Sequence, residues 1–138
     1  MISIEKKHLT IFLYILGIGL LISVIFFMMP ALFQHSDTYM KKARFHIQFI
    51  QNALEKYHND YGRYPNSDEG LKLLIEQKNA KGEPYLPRMI NDPWSRPYHY
   101  RSPGVFNKDK FDLWTYGADN APGGKGSNTD ITNWDKKS

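Results

Sequence analysis

Residues 9–33 read LTIFLYILGIGLLISVIFFMMPALF and carry no charged side chain. At a rise of about 1.5 Å per residue, a helix of this length exceeds the roughly 30 Å thickness of a bilayer core. Pro30 lies inside the stretch, but a proline within a membrane helix usually kinks the helix and does not end it. A cleaved signal peptide has a shorter apolar core followed by small residues. The stretch therefore predicts one uncleaved transmembrane helix.

The helical pattern continues beyond this stretch. Apolar or aromatic side chains recur at steps of three and four residues, at Ala43, Ile47, Ile50, Leu54, Tyr57 and Tyr61. This spacing is typical of one face of a helix. No strong helix breaker separates the two patterns, so we expect one helix from about residue 9 to about residue 61, about 80 Å long. Gly62 and Pro65 should end it.

Two regions lie between this helix and the first predicted strand. Residues 66–77 predict a short second helix with Ser67 as its N-cap. Its buried face would carry the aliphatic residues Leu71, Leu74 and Ile75. Residues 82–97 contain four prolines and predict a connection rich in turns.

The last part of the chain predicts a small sheet. Residues 98–102, YHYRS, and residues 110–117, KFDLWTYG, alternate apolar and polar side chains and predict strands. The segment PGVFNKD at 103–109 suits an antiparallel hairpin, and DITNW at 130–134 suggests a third strand. The predicted fold class is therefore α+β, with a long N-terminal transmembrane helix packed on a small antiparallel β-sheet.

Composition limits the possible functions. The chain has 138 residues, a net charge of +4 and no cysteine. The length accommodates one domain and a small appendage. Disulfides, thiolate catalysis and sulfur-ligated metals are excluded without cysteine. The basic excess is modest and contains no block of like charges, so we expect no nucleic acid as a partner.

Acid and base side chains occur close together in the sequence without supporting an enzyme. His58 and Asp60 point in different directions on a helix, and Asp109 and Asp112 are most simply part of a solvated turn. Neither pair has a nucleophile, a cofactor loop or clustered metal ligands beside it. The sequence therefore predicts a protein without catalytic activity.

Three motifs, in this order and spacing, carry a family resemblance. They are NALEKYHNDYGRYPNSDEGLKLLIEQ at 52–77, DPWSRPYHYRSPG at 92–104 and FDLWTYGADNAPGGKGSNTDITNW at 111–134. Together they resemble the G-type major pseudopilin of the type II secretion system. The resemblance implies a pilin-like structural subunit that assembles through its N-terminal helix into a short pseudopilus, which aids export of folded proteins across the outer membrane.

The resemblance also implies where the parts of the chain lie. Residues 1–8 would be a short leader-like segment, residues 9–33 the transmembrane half of the long helix, and residues 34–138 a periplasmic α+β domain. The protein would be a single-pass protein of the inner membrane. Its partners would be copies of itself in a helical filament, other pseudopilins, inner-membrane secretion platform proteins and membrane lipid.

The basic residues beside the apolar stretch give a different indication of orientation. Lys6 and Lys7 precede the stretch, whereas Lys41, Lys42 and Arg44 follow it, and this count slightly favours a cytoplasmic C-terminus. We follow the resemblance. The residues leave two alternatives open, which are an anchored pilin-like protein that does not polymerise and a type IV pilin-like subunit that binds DNA or anionic lipid.

The N-terminus departs from the family pattern. Family members usually carry Gly, Phe and Glu around a peptidase site, and the positions here are occupied by His8, Leu9 and Leu13. Cleavage after His8 should therefore fail, and an N-terminus at Leu9 in mass spectra would refute this. Filament joining should be weaker, since Leu13 cannot form a charge pair with a neighbour's amine.

The segment YGADNAPGGKGSNTDITNW at 116–134 predicts either a flexible turn-forming loop or a metal site. Its two aspartates and three central glycines suit Ca²⁺, which takes six to eight oxygen ligands. The resemblance implies a calcium ion held by the Tyr116 carbonyl and by Asp119, Ser127, Thr129 and Asp130. Asn128 stands where relatives often have an acid. With two clear carboxylates, we expect weak affinity, with a Kd of about 10⁻⁴ to 10⁻³ M.

Several aromatic residues lie outside the predicted core stripe. Phe45 and Phe49 are candidates for contact between subunits, because an exposed aromatic pair on a helix needs a partner. The alternative is that they form a second edge of the core. Trp94, Trp114 and Trp134 are expected to pack in the core or in loops, with a ligand platform as the alternative.

Overall fold

In the computed structural model of this chain, the structure describes the backbone of residues 2–134 and the side chains of 7–29 and 37–134. In chain order, the elements are helices α1 (Ile2–Tyr61) and α2 (Leu73–Glu76), strands β1 (His99–Arg101) and β2 (Asp112–Thr115), a 3₁₀ turn (Gly126–Asn128) and strand β3 (Ile131–Thr132). The chain divides into two compact units, Met1–Ser36 and Asp37–Ser138. The predicted hairpin and third strand are present, and the predicted long helix is present but begins at Ile2 and not at about residue 9.

The first unit contains a helical stretch, Lys7–Met29, of 23 residues that is long and apolar enough to cross a membrane. None of this stretch is buried against other parts of the protein. Large side chains such as Phe26 and Phe27 are among the most exposed of all. An apolar helix whose side chains are not buried within the protein fits a membrane anchor, because lipid can surround its exposed apolar surface.

The second unit is built around the remaining part of α1. Its predicted stripe is buried from Ala43 to Tyr57, and Ala53 joins it. Tyr61 differs from the prediction, because its side chain is 45% exposed and stacks on Tyr57 with ring centroids 4.5 Å apart. The chain turns away at the next residue, Gly62, where φ is +70° and the N–H donates to the His58 carbonyl at 2.7 Å. Tyr61 therefore lies at the rim of the core, and the predicted glycine cap is confirmed.

The predicted second helix is shorter than expected. Only Leu73–Glu76 is helical, and Ser67 is not its N-cap. The Ser67 hydroxyl instead accepts the Ser102 N–H at 3.0 Å and donates to the Ser102 carbonyl at 3.1 Å, so it joins the turn to the end of β1. The predicted apolar face is confirmed, since Leu71 and Leu74 are buried and Ile75 packs against the core.

The sheet has the antiparallel order β1-β2-β3. His99 pairs with Trp114, and Thr115 pairs with Ile131. The side chains that face α1 share one core cluster with it and include Tyr98, Phe111, Leu113 and Ile131. The predicted alternation along the first two strands is therefore confirmed on the core side.

Asp112 contradicts the prediction of a solvated turn. Its side chain is 1% exposed, and its carboxylate accepts the backbone N–H groups of Val105, Phe106 and Asn107 at 2.6, 3.0 and 2.9 Å. A carboxylate can be buried at this position because three donors compensate for its lost hydration. Asp112 thereby fixes the turn that joins β1 to β2.

His58 and Asp60 have separate neighbours. The His58 ring stacks on Tyr64 with centroids 4.5 Å apart, and the Asp60 carboxylate accepts a hydrogen bond from the Tyr85 hydroxyl. Both contacts join α1 to the segment between α1 and β1, which contains Tyr64 and Tyr85.

Candidate metal centre

The loop between β2 and β3 folds back on itself, so that its two ends lie side by side. The Ala118 N–H donates to the Ser127 carbonyl at 2.9 Å, across nine positions of sequence. The 3₁₀ turn Gly126–Asn128 lies in the second half of the loop, and the Thr129 N–H donates to the Gly126 carbonyl at 3.2 Å. The backbone near Tyr116 is therefore brought beside the backbone of Ser127 and Thr129.

Two glycines permit this close approach. At Gly117, a Cβ atom would lie 2.8 Å from the Thr129 carbonyl oxygen, and at Gly124 it would lie 2.6 Å from the Asn128 carbonyl oxygen. Both residues have positive φ, which other residues rarely adopt. Any side chain at either position would separate the two ends of the loop.

The two aspartates have different surroundings. Asp119 is exposed, and its Oδ1 accepts the Ala121 N–H at 3.2 Å. Asp130 is half-buried, and its Oδ2 accepts the Gly123 N–H at 2.9 Å. Its Oδ1 is enclosed and accepts no hydrogen bond. An enclosed carboxylate oxygen without a partner is costly, and a bound cation would remove that cost.

The five predicted ligands are thus only partly assembled. Tyr116, Ser127, Thr129 and Asp130 lie on the two adjoining ends, whereas Asp119 follows in the exposed turn. Among the described side chains, those of residues 7–29 and 37–134, no three His, Asp or Glu residues converge to form a metal cluster. A cation in this loop would therefore depend on carbonyl and hydroxyl oxygens as well as on carboxylates. The set fits Ca²⁺ better than a transition metal, which prefers nitrogen or sulfur.

A partly buried ion pair, which the sequence does not predict, supports the start of this loop. Asp92 is 5% exposed and accepts hydrogen bonds from the Trp94 N–H at 3.0 Å, the Arg96 N–H at 2.8 Å and the Thr115 hydroxyl at 2.6 Å. The Arg96 guanidinium lies 3.3 Å from Asp92 and also donates to the Gly117 carbonyl. Asp92 followed by proline is a typical turn signal, but its contact with β2 has no local signature.

An aromatic cavity of about 230 Å³ adjoins the loop. Its lining comprises Arg101, Phe106, Asp112, Trp114, Tyr116, Pro122, Asp130 and Trp134. The rings of Trp114 and Trp134 meet edge to face at 5.8 Å, and His99 stacks on Trp114 at 5.0 Å. Burial lowers the pKa of the His99 imidazole, which favours its neutral form. Trp94 packs instead against the core.

The chain is similar in sequence and in fold to known proteins. A family model described as type II secretion system (T2SS), protein G, matches residues 31–134. The type II secretion system core protein G of Vibrio cholerae is 39% identical over 100 residues, which are 68% of this chain and 67% of that protein. Its namesake in Pseudomonas aeruginosa is 38% identical over 96 residues, 64% of this chain and 66% of that protein.

Two Escherichia coli proteins extend the comparison. The core protein G of strain K12 is 34% identical over 134 residues, which are 91% of this chain and 87% of that protein. The crystal structure of the major pseudopilin from the type 2 secretion system of enterohaemorrhagic Escherichia coli matches with a TM-score of 0.57 and 26% identity. That match covers 73% of this chain and 90% of the other.

Proposed function

The chain belongs to the protein G family of the type II secretion system, and on that premise we propose that it assembles through α1 into a pseudopilus that aids protein export. The family is one of pilin-like structural subunits. The observation that carries the proposal is the match over residues 31–134, preceded by the apolar helical stretch Lys7–Met29. The alternatives of a non-polymerising anchor and a DNA-binding or lipid-binding subunit are not favoured, because these relatives are secretion proteins.

The proposed orientation places the second unit, Asp37–Ser138, in the periplasm. The stretch Lys7–Met29 of the first unit has apolar side chains and is not buried within the protein, so lipid is the medium that suits it. The second unit has its own core and is suited to water. The proposed partners are other copies of the chain, other pseudopilins, platform proteins of the inner membrane and lipid.

A calcium ion is the proposed ligand of the loop between β2 and β3. The Tyr116 carbonyl, Asp119, Ser127, Thr129 and Asp130 would hold it, and the enclosed Oδ1 of Asp130 supports this assignment. When bound, the ion would supply positive charge that offsets the repulsion among these oxygen atoms. Arg96 and Asp92 prepare the first end by fixing the Gly117 carbonyl before any ion binds.

A secretion assay tests the proposed function. In the bacterium that makes this chain, loss of the chain should leave the exported proteins in the periplasm, and the full chain should restore export. Leu20→Asp should fail to restore export, because a carboxylate at mid-membrane costs about 2.5–3.5 kcal/mol. Lys81→Asp, at an exposed position of the second unit outside α1, is the matched control and should restore export. Normal export without the chain would refute the proposal.

A further inference from the structure

His46 lies at the edge of the core of the second unit, where α1 meets the segment that precedes β1. On α1 it is next to buried Ile47 and one turn from buried Ala43 and Ile50. Its ring meets the Tyr98 ring edge to face, with centroids 6.1 Å apart. Its Nδ1 is enclosed and has no hydrogen-bond partner among the described residues. A nitrogen enclosed in this way costs less in a neutral imidazole than in a charged one.

Residues 87–91 form the segment that packs beside this part of α1. Together with α1 they line a groove of about 480 Å³, and His46 lies on its helical wall. Ile90 holds the segment to the unit by packing against the core. Phe45 and Phe49, on the same helical wall, are 68% and 41% exposed and therefore do not form a second edge of the core. His46 thus lies at the boundary between α1 and the segment.

Charged groups near His46 come from both sides of this boundary. On α1, Lys42 lies one turn before His46 and is exposed. On the other side, Arg88 lines the groove and is exposed. Asp92 follows the segment and is buried beside the Arg96 guanidinium, which is 3.3 Å away. His46 therefore shares the groove with two exposed cations, whereas the nearby carboxylate is buried and paired.

These surroundings favour the neutral form of His46. Burial lowers the pKa of its imidazole below 6.5, and the positive charge of Lys42 lowers this pKa further. The backbone of Asn91 and the carboxylate of Asp92 act in the opposite direction without outweighing them. The Tyr98 hydroxyl adds no charge, because burial raises its pKa. The folded chain therefore binds a proton at His46 more weakly than the unfolded chain does.

We propose that His46 is a pH-sensitive contact, which holds residues 87–91 on α1 when its ring is neutral and weakens this packing when its ring is protonated. Both nitrogens of a protonated imidazole are donors, so Nδ1 would become an enclosed donor without an acceptor. Separation of the segment from α1 would admit water to the charged ring and remove that cost. The inference goes beyond the proposed function and does not depend on it.

The direction of the pH effect follows from proton linkage. Because the folded chain binds the proton of His46 more weakly, the stability that the neutral ring provides is fully present well above pH 6.5. It is lost as the pH falls from 6.5 through the lowered pKa of the folded chain. Acid pH should therefore weaken the contact, and neutral pH should restore it.

A pH titration of the full chain in nonionic detergent tests the inference. The NMR signals of the His46 ring, identified by their absence in His46→Gln, should give a pKa below 6.5. The ratio of folded to unfolded wild type in urea should fall, relative to that of His46→Gln, between about pH 8 and about pH 5. The comparison cancels the titration of the other histidines. A pKa of 6.5 or above, or a relative ratio that does not change with pH, would overturn the inference.

Hydrogen exchange of the same samples locates the effect. The exchange rate of residues 88–92 in the wild type, divided by the rate in His46→Gln at the same pH, should rise several-fold from about pH 8 to about pH 5. The same quotient for strand β2 should stay constant, because β2 does not belong to the boundary. An equal rise in both places would show a loss of global stability and would contradict a local contact.

Lys42→Gln gives a matched test that keeps His46 and does not depend on the folding of His46→Gln. Removal of this exposed charge should raise the pKa of His46 towards 6.5 and reduce the loss of stability at acid pH. Lys81→Gln removes the same charge at an exposed position outside the groove and should change neither quantity. Equal effects of the two lysine variants would overturn the inference, because net charge alone would then explain the pH dependence.

Discussion

Asp112 is the residue on which the turn between β1 and β2 depends. Its carboxylate is almost fully enclosed and accepts three backbone N–H groups. Asp112→Ala would leave these donors without partners, so we expect a loss of about 3 kcal/mol in the free energy of unfolding. Urea denaturation measures it. Asp109→Ala, at an exposed position nearby, should change stability by less than about 0.5 kcal/mol. Equal losses from both variants would contradict the role assigned to Asp112.

Ser95 is a residue held in a conformation that suits glycine. Its φ is 69°, and its N–H donates to the Asp92 carbonyl at 2.9 Å within the turn before β1. Ser95→Gly should relieve backbone strain and stabilise the protein by about 0.5–1 kcal/mol, after the added freedom of the unfolded chain is subtracted. Thermal or urea unfolding would show the gain. Ser95→Ala keeps the strained Cβ and should show none.

Whether the burial of a single residue can be predicted depends on whether its partners lie nearby in the sequence. Phe111 and Leu113 were predicted to face the core because alternation along a strand is a local property. Asp112 and Asp92 were not predicted to be buried, since a carboxylate is normally exposed. Their burial depends on donors that only the folded chain brings together, and those donors have no local signature.

At the scale of elements, the turn that ends α1 is held by an exposed ion pair. Arg63 donates two hydrogen bonds to Glu69, at 2.6 and 2.8 Å. The pKa of Glu69 is lowered from 4.5 to about 2, mainly by these two hydrogen bonds and secondly by the hydrogen bond from the Asn66 N–H. The ionised form is favoured in the folded state, so this stability is present above pH 4.5 and is lost as the pH falls towards about 2.

Glu69→Gln tests this pH dependence. The difference in unfolding free energy between the wild type and Glu69→Gln should be constant above pH 4.5 and should shrink between pH 4.5 and about 2. Arg63→Gln should flatten the profile in the same way, because it removes the main cause of the low pKa. Chemical denaturation across this pH range measures both. A difference that does not change with pH would contradict the role of the pair.

The loop between β2 and β3 is the element whose stability should depend on calcium. At a free calcium concentration of about ten times Kd, binding should raise the free energy of unfolding by about 1.4 kcal/mol. Asp130→Asn should abolish this response, and Asp109→Asn should retain it. Thermal melting of the full chain in detergent, with calcium, magnesium or a chelator, measures the effect. Identical melts under all three conditions would refute the calcium proposal.

The elements themselves were predictable to different degrees. The first part of the long helix follows from the length of its uncharged apolar stretch. Its second part and the hairpin follow from apolar periodicity, which indicates the buried face of each element. The second helix is shorter than the sequence predicts. Ser67 forms its hydrogen bond with Ser102, which is distant in the sequence, and therefore does not cap a helix at this position. The residues of the loop at 116–130 suit a simple turn as well as a metal site. The prediction of a metal site therefore depends on the family resemblance.

At the scale of the whole molecule, membership of the family follows from three motifs spread over residues 52–134. The family model matches this region and extends to residue 31. The orientation in the membrane does not follow from the basic residues, because they lie on both sides of the apolar stretch. The periplasmic position of the second unit is therefore the central claim, because the proposed pseudopilus and the proposed calcium site both depend on it.

Thiol labelling tests this claim most directly. The chain has no cysteine, so Lys81→Cys introduces a single thiol at an exposed position of the second unit. In intact spheroplasts, a maleimide that cannot cross the inner membrane should label this thiol, while a cytoplasmic marker protein stays unlabelled. Labelling that requires lysis of the spheroplasts would place the second unit in the cytoplasm and contradict the account.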